Sequence, residues 1–140
     1  VSFYTVGDAT AADSTLIASL GSINGDGVPI STITLQAKDE NGNNLVSGGL
    51  TVIMTQDGSA TISTVSDNTD GTYTVTMTNT TAENVTISAT IDGDAVIDTT
   101  NVSFYTVGIA TATDSTLSTN PKGFYLYSSD GLYLTALANE

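Results

Sequence analysis

Apolar and polar residues alternate along almost the whole chain, and no stretch keeps a helical period. Ile33, Leu35 and Ala37 fall on one side of an extended backbone, with Thr32, Thr34 and Gln36 on the other. The same period of two runs through Leu50-Val52-Met54, Tyr73-Val75-Met77 and Val85-Ile87-Ala89-Ile91, and it returns in Val102-Phe104. Successive side chains of a strand point to opposite faces, so this pattern makes strands with one buried face. The polar positions are mostly Thr and Ser, and β-branched Thr suits a pleated surface. Clusters of Asn, Asp and Gly interrupt at short intervals, at 24–27, 39–44, 56–58, 67–71 and 92–94. Strands are expected at 16–23, 30–38, 50–55, 60–65, 72–78, 85–91 and 96–107. About seven short strands at that spacing make an all-β Greek-key sandwich of two sheets.

A second regularity concerns the ends. Residues 1–16 and 102–117 match at fourteen of sixteen positions, the exceptions being Asp8 against Ile109 and Ala12 against Thr113. A repeat of about one domain length marks an array of like domains. The chain therefore divides into three parts. Residues 1–13 are the last strand of a preceding repeat plus linker, 14–108 the sandwich, and 109–140 the start of a following unit. An odd number of strands puts the arrival and departure of the chain at opposite poles, so such domains stack end to end.

Composition narrows the function. Fifteen acidic residues against two basic ones give a net charge of −13, which repels nucleic acid and anionic lipid. No apolar run is long enough to cross a bilayer. There is no Cys, so disulfides and thiolate metal sites are excluded, and no His, the commonest general base. No carboxylate stands out as a general acid, and a small sandwich offers no deep cleft. These features point away from an enzyme.

Two readings of the acidic residues stay open. Loops alternate between the poles of a sandwich, which collects Asp13, Asp39, Glu40, Asp67, Asp70, Asp92 and Asp94 at one end, with Asp8 in the adjoining linker. Calcium takes six to eight oxygens from carboxylates, carbonyls and water, and short carboxylates in loops suit it. Calcium is thus the candidate cofactor. The plainer reading is that Asp and Asn sit in turns because their side chains bond nearby backbone. Tyr73, after the acidic turn, resembles a tyrosine corner, a structural role rather than a catalytic one.

Three motifs carry a resemblance. The stretch Ser31-Thr32-Ile33-Thr34-Leu35-Gln36-Ala37-Lys38-Asp39-Glu40-Asn41-Gly42-Asn43 resembles a strand and loop of bacterial Ig-like domains of the invasin/intimin type. So do the turn and tyrosine-bearing strand Asp67-Asn68-Thr69-Asp70-Gly71-Thr72-Tyr73-Thr74-Val75-Thr76-Met77-Thr78, and Val85-Thr86-Ile87-Ser88-Ala89-Thr90. The resemblance implies an Ig-like domain of a repetitive bacterial cell-surface adhesin, extracellular, acting as stalk or as ligand-binding tip. In similar large adhesins calcium often stiffens the joints.

The flanking segments supply candidate partner-binding residues. Val1, Phe3 and Val6 form a strand that cannot bury its apolar side alone. It pairs with a neighbouring repeat, or it is donated to an identical subunit, as in strand-exchanged filaments. Phe124, Tyr125, Tyr127 and Tyr133 lie on an expected β-hairpin around 128–131. Such aromatics also suit a sugar- or protein-binding tip. The expected function is a structural adhesin repeat, with the filament subunit and the binding tip as alternatives.

Overall fold

The structure is a computed structural model and describes residues 5–28 and 30–108, with the backbone of residues 115–120, 123–128 and 133–136. The chain forms two compact units, Val1–Thr106 and Val107–Glu140. In the first unit ten strands follow in order. They are β1 (Thr15–Ala18), β2 (Ser22–Asn24), β3 (Ser31–Gln36), β4 (Val52–Gln56) and β5 (Thr61–Ile62). Then come β6 (Ser66–Asp67), β7 (Thr72–Thr78), β8 (Glu83–Ile91), β9 (Asp94–Ala95) and β10 (Thr100–Tyr105).

One sheet has the order β1-β3-β7-β5, with β6 also on β7, and the other has β2-β10-β8-β4, with β9 on β8. The fold is the two-sheet sandwich that the alternation implies, and it is Ig-like as the resemblance implies. Ile33, Leu35, Tyr73, Val75 and Met77 of the first sheet are buried in one core with Val85, Ile87, Ala89, Ile91, Val102 and Phe104 of the second. Fully burying one such side chain is worth roughly 1.5–3 kcal/mol. A slip of one residue would turn every one of them outward, so the core fixes register. That register sets Leu35 opposite both Leu16 and Tyr73.

Three expected strands form differently. The first, expected at 16–23, serves both sheets. β1 pairs antiparallel with β3, and β2 then pairs parallel with β10, Ile23 lying opposite Phe104. Leu16 and Ile23 are both buried although they stand seven positions apart. A single flat strand would put them on opposite faces. Buried Ser31 holds the crossing point: its hydroxyl donates to the Leu20 carbonyl at 2.9 Å and accepts the Leu20 N–H at 3.3 Å.

The strand expected at 60–65 is shortened to β5, and β6 follows it after a bulge. Ile62 pairs with Met77 and Ser66 with Thr74, so four steps on this strand oppose three on β7. Of the strand expected at 96–107 only β10 forms, and the short β9 stands just before that range. The chain leaves β8 between them, where Asp98 accepts the Leu16 N–H at 2.8 Å and ties this segment to β1.

In the second unit β11 (Ser115–Asn120), β12 (Gly123–Ser128) and β13 (Tyr133–Ala136) form an antiparallel meander. The expected hairpin is β12–β13, with Tyr127 opposite Tyr133. Leu117 pairs with Leu126 much as Leu16, its counterpart in the repeat, pairs with Leu35.

Candidate functional site

The loops at the acidic end are bonded to one another. The Gly49 N–H donates to Asp67 at 2.8 Å, and the Thr51 N–H donates to Asp92 at 2.8 Å. The Ala37 N–H donates to the Gly71 carbonyl at 2.9 Å. The Gln36 amide donates to the carbonyls of Leu45 and Gly71 at 3.3 and 3.2 Å. Gly71 is required here: its φ is 86°, and a Cβ would stand 2.0 Å from the Leu45 oxygen. The result is a closed pole in which turns brace turns.

Asp39 is the centre of this pole. It follows β3 by three residues and is wholly buried. Its Oδ1 accepts the N–H groups of Asn41 at 3.0 Å and Asn43 at 2.8 Å. Its Oδ2 accepts the Gly7 N–H at 3.0 Å and the Asn43 side-chain amide at 3.0 Å. Four donors offset the cost of burying a carboxylate without a cation. They hold the Asp39 carboxyl at about 2, against an ordinary 3.8, with the Gly7 N–H first and the Asn43 amide next; burial works the other way. The arriving chain is fastened at further points. Ala9 forms a β-bridge with Asp39, and the Thr10 N–H donates to the Lys38 carbonyl at 2.7 Å. Buried Ser14 donates to the Thr10 carbonyl at 2.8 Å and accepts the Lys38 N–H at 3.1 Å.

The remaining acidic residues of this end work separately. Asp67 also accepts the Thr69 N–H at 2.8 Å, at a residue whose φ is 63°. Asp70 accepts the hydroxyl and N–H of Thr72, which lower its carboxyl. Asp8, Asp13, Glu40 and Asp94 are exposed. Among the described residues no three acidic side chains group closely enough to hold a metal ion. The carboxylates of Asp39, Asp67, Asp70 and Asp92 accept N–H groups instead, the geometry of turn-forming Asp. As placed, the described residues do not gather the oxygens that a calcium ion takes.

The opposite pole carries a smaller network that sequence reading passed over. Glu83 accepts the hydroxyl and N–H of Ser59 at 2.6 and 2.7 Å and the Asn79 amide at 2.7 Å, and these donors lower its carboxyl in that order. Asp57 accepts the Thr86 N–H at 2.7 Å and is lowered by it. The Gly25 N–H donates to the Tyr105 carbonyl at 2.7 Å where the chain leaves the domain. No local motif in the sequence announces these long-range pairs.

Tyr73 is structural, but its bond is not the local one of a tyrosine corner. Its ring is 1% exposed, and its hydroxyl accepts the Leu50 N–H at 3.0 Å, at the approach to β4 in the other sheet. Of the candidate partner residues, Val6 is 38% exposed just before Gly7. Val1 and Phe3 lie outside the described residues. Phe124, Tyr125 and Tyr127 lie on β12, and Tyr133 on β13.

Among the described residues there is no pocket, and no helix is long and apolar enough to cross a membrane. No curated protein matches the sequence. Solved bacterial adhesins do. The crystal structure of invasin, a bacterial integrin-binding protein, is similar with a TM-score of 0.66 at 30% identity, over 91% of this chain and 28% of that one. The Yersinia pseudotuberculosis adhesin InvE shares the fold with a TM-score of 0.63 at 24% identity, over 86% of this chain and 34% of its own. The Escherichia coli adhesin FdeC shares it with a TM-score of 0.60 at 20% identity, over 89% and 43%. The chain thus spans less than half the length of each of these proteins. The family model for invasin domain 3 matches residues 10–107, more than half of the chain. With the sandwich, the order of its motifs and that match in agreement, the chain belongs to the invasin domain 3 family of bacterial Ig-like domains.

Proposed function

We propose that this domain is a non-catalytic structural repeat of an extracellular bacterial adhesin, holding a binding tip away from the cell surface. One observation carries the reading. The chain arrives beside Asp39, at the end of β3, and leaves at Tyr105, beside the turn that precedes β3. Arrival and departure are thus at opposite poles, and the same heptapeptide stands at both, at 1–7 and 102–108. Units linked this way add length with each copy. The seven-residue β7 alone runs about 24 Å along the domain. The docking of residues 7–14 onto their own domain favours this over donation of the first strand to another subunit.

Light scattering on the chain, with and without residues 1–6, tests the reading. A spacer repeat is monomeric in both forms. Large assemblies that disappear when residues 1–6 are removed would overturn it in favour of a strand-exchanged filament.

A further inference from the structure

Gly7 closes the heptapeptide that recurs at 102–108, and the second copy shows where a strand of this sequence ends. β10 stops at Tyr105, leaving only Thr106 and Val107 before Gly108. By that identity only Thr5 and Val6 separate Gly7 from the residue matching the end of such a strand. Two residues span at most about 7 Å. The far side of this short lead is not free. The Gly7 N–H is bonded to Asp39, and a Cβ on Gly7 would lie 3.5 Å from the Asp39 Cβ, so the chain passes in van der Waals contact. Asn41 and Asn43 supply the other three of Asp39's four donors, so the loop positions the carboxylate independently of Gly7.

We propose that Asp39 is the anchor for a preceding repeat: its buried carboxylate takes the incoming chain at Gly7 and fixes the direction from which the last strand of that repeat arrives. The partner surface is the backbone of a like domain's final strand, recognised by one N–H at a place where the chain runs close. A joint with one end fixed and two residues of slack has little room to bend, and Asp39 is the first point, ahead of Ala9, Thr10 and Ser14, at which the incoming chain is held. The consequence for an array rests on the adhesin-repeat reading, but the anchor does not, and the experiment below does not depend on oligomeric state.

The chain has no Cys, so one introduced thiol gives a clean spin label. Thr5→Cys places it on the lead and Val46→Cys on the loop after Asp39; both sites are exposed. Each label is read by electron paramagnetic resonance in the full chain, with Asp39→Ala, which removes the acceptor, and with Gly7→Pro, which removes the donor and also fixes the local backbone. The anchor requires a slow label at residue 5 that becomes several-fold faster in both variants. It also requires that Gly7→Pro leave the label at residue 46 unchanged, with the melting temperature lowered by no more than the loss of one hydrogen bond. Amide exchange adds a second readout: Asp39→Ala should expose the Gly7 N–H, which is protected in the parent. A label at residue 5 that stays slow in Gly7→Pro would overturn the proposal, whether or not Asp39→Ala folds, because the carboxylate would then only shape its own loop.

Discussion

Tyr73→Phe isolates a buried side-chain bond that joins the first sheet to the approach of the second. The substitution keeps the buried ring and removes the oxygen that accepts the Leu50 N–H at 3.0 Å. A donor stranded in the interior costs about 1–3 kcal/mol; Leu50 is only half-buried, so water recovers part of this and about 1–2 kcal/mol remains. For a unit of this size each kcal/mol moves Tm by about 4–8 °C, which places the variant about 5–15 °C below the parent. Thermal melting followed by circular dichroism gives the shift, and urea melts should show a lower midpoint at unchanged slope. Tyr105→Phe is the control: that side chain is 47% exposed and its loss should cost under about 0.5 kcal/mol. Tyr73→Ala sets the upper bound, because emptying the ring's site costs about 3–5 kcal/mol. A Tyr73→Phe protein melting within about 1 °C of the parent would refute the idea that this bond braces the two sheets.

Gly71→Ala and Gly42→Ala separate crowding from backbone conformation. Both residues have positive φ, 86° and 77°, but a Cβ at 71 meets the Leu45 carbonyl whereas one at 42 meets nothing. Gly42→Ala should cost only the left-handed penalty of about 1–2 kcal/mol, and Gly71→Ala clearly more, as read from urea midpoints. Acid should destabilise the domain in a defined window. Asp39, Asp57, Asp70 and Glu83 all have carboxyls lowered in the fold, so the unfolded chain binds protons first. Their stabilisation is complete above the ordinary carboxylate range near about 4 and disappears as pH falls toward about 2. Melting temperatures should be flat from neutrality to about pH 5 and drop below it, less steeply in Asp39→Asn. Calcium at about 2 mM, followed by chelator, should leave Tm nearly unchanged, because the loop carboxylates already accept N–H groups; a rise of several degrees would show that the loops re-form around the ion.

The sequence announces most of the sandwich because a strand with one buried face must alternate. Residues 31–36, 72–78 and 85–91 do so without interruption, and their strands stand where the pattern puts them. Strands that break the pattern are harder to place. The odd spacing of Leu16 and Ile23 is the trace of a chain changing sheets, but with Ile17 and Leu20 exposed between them it resembles an irregular single strand. The bulge at 63–65 shifts parity in the same way. The acidic end was legible as a collection of turns, because topology alone assigns loops to poles. What those side chains bond was not. Asp39 reaches Gly7 across 32 positions and Asp98 reaches Leu16 across 82. Neither Asp differs in local sequence from one that faces water.

The sheet change after β1 bears on how the domain would respond to tension. β2 and β10 lie near the two ends of the first unit and run parallel, with Ser22 opposite Ser103 and Tyr105 opposite Asn24. Tension applied between the arriving and departing chain would draw these strands in opposite directions along their length. Their hydrogen bonds would then be loaded together in shear instead of being opened one at a time like a zipper. Resistance to such a pull depends on the rate of unfolding rather than on equilibrium stability. The three residues of β2 would therefore act as a mechanical catch.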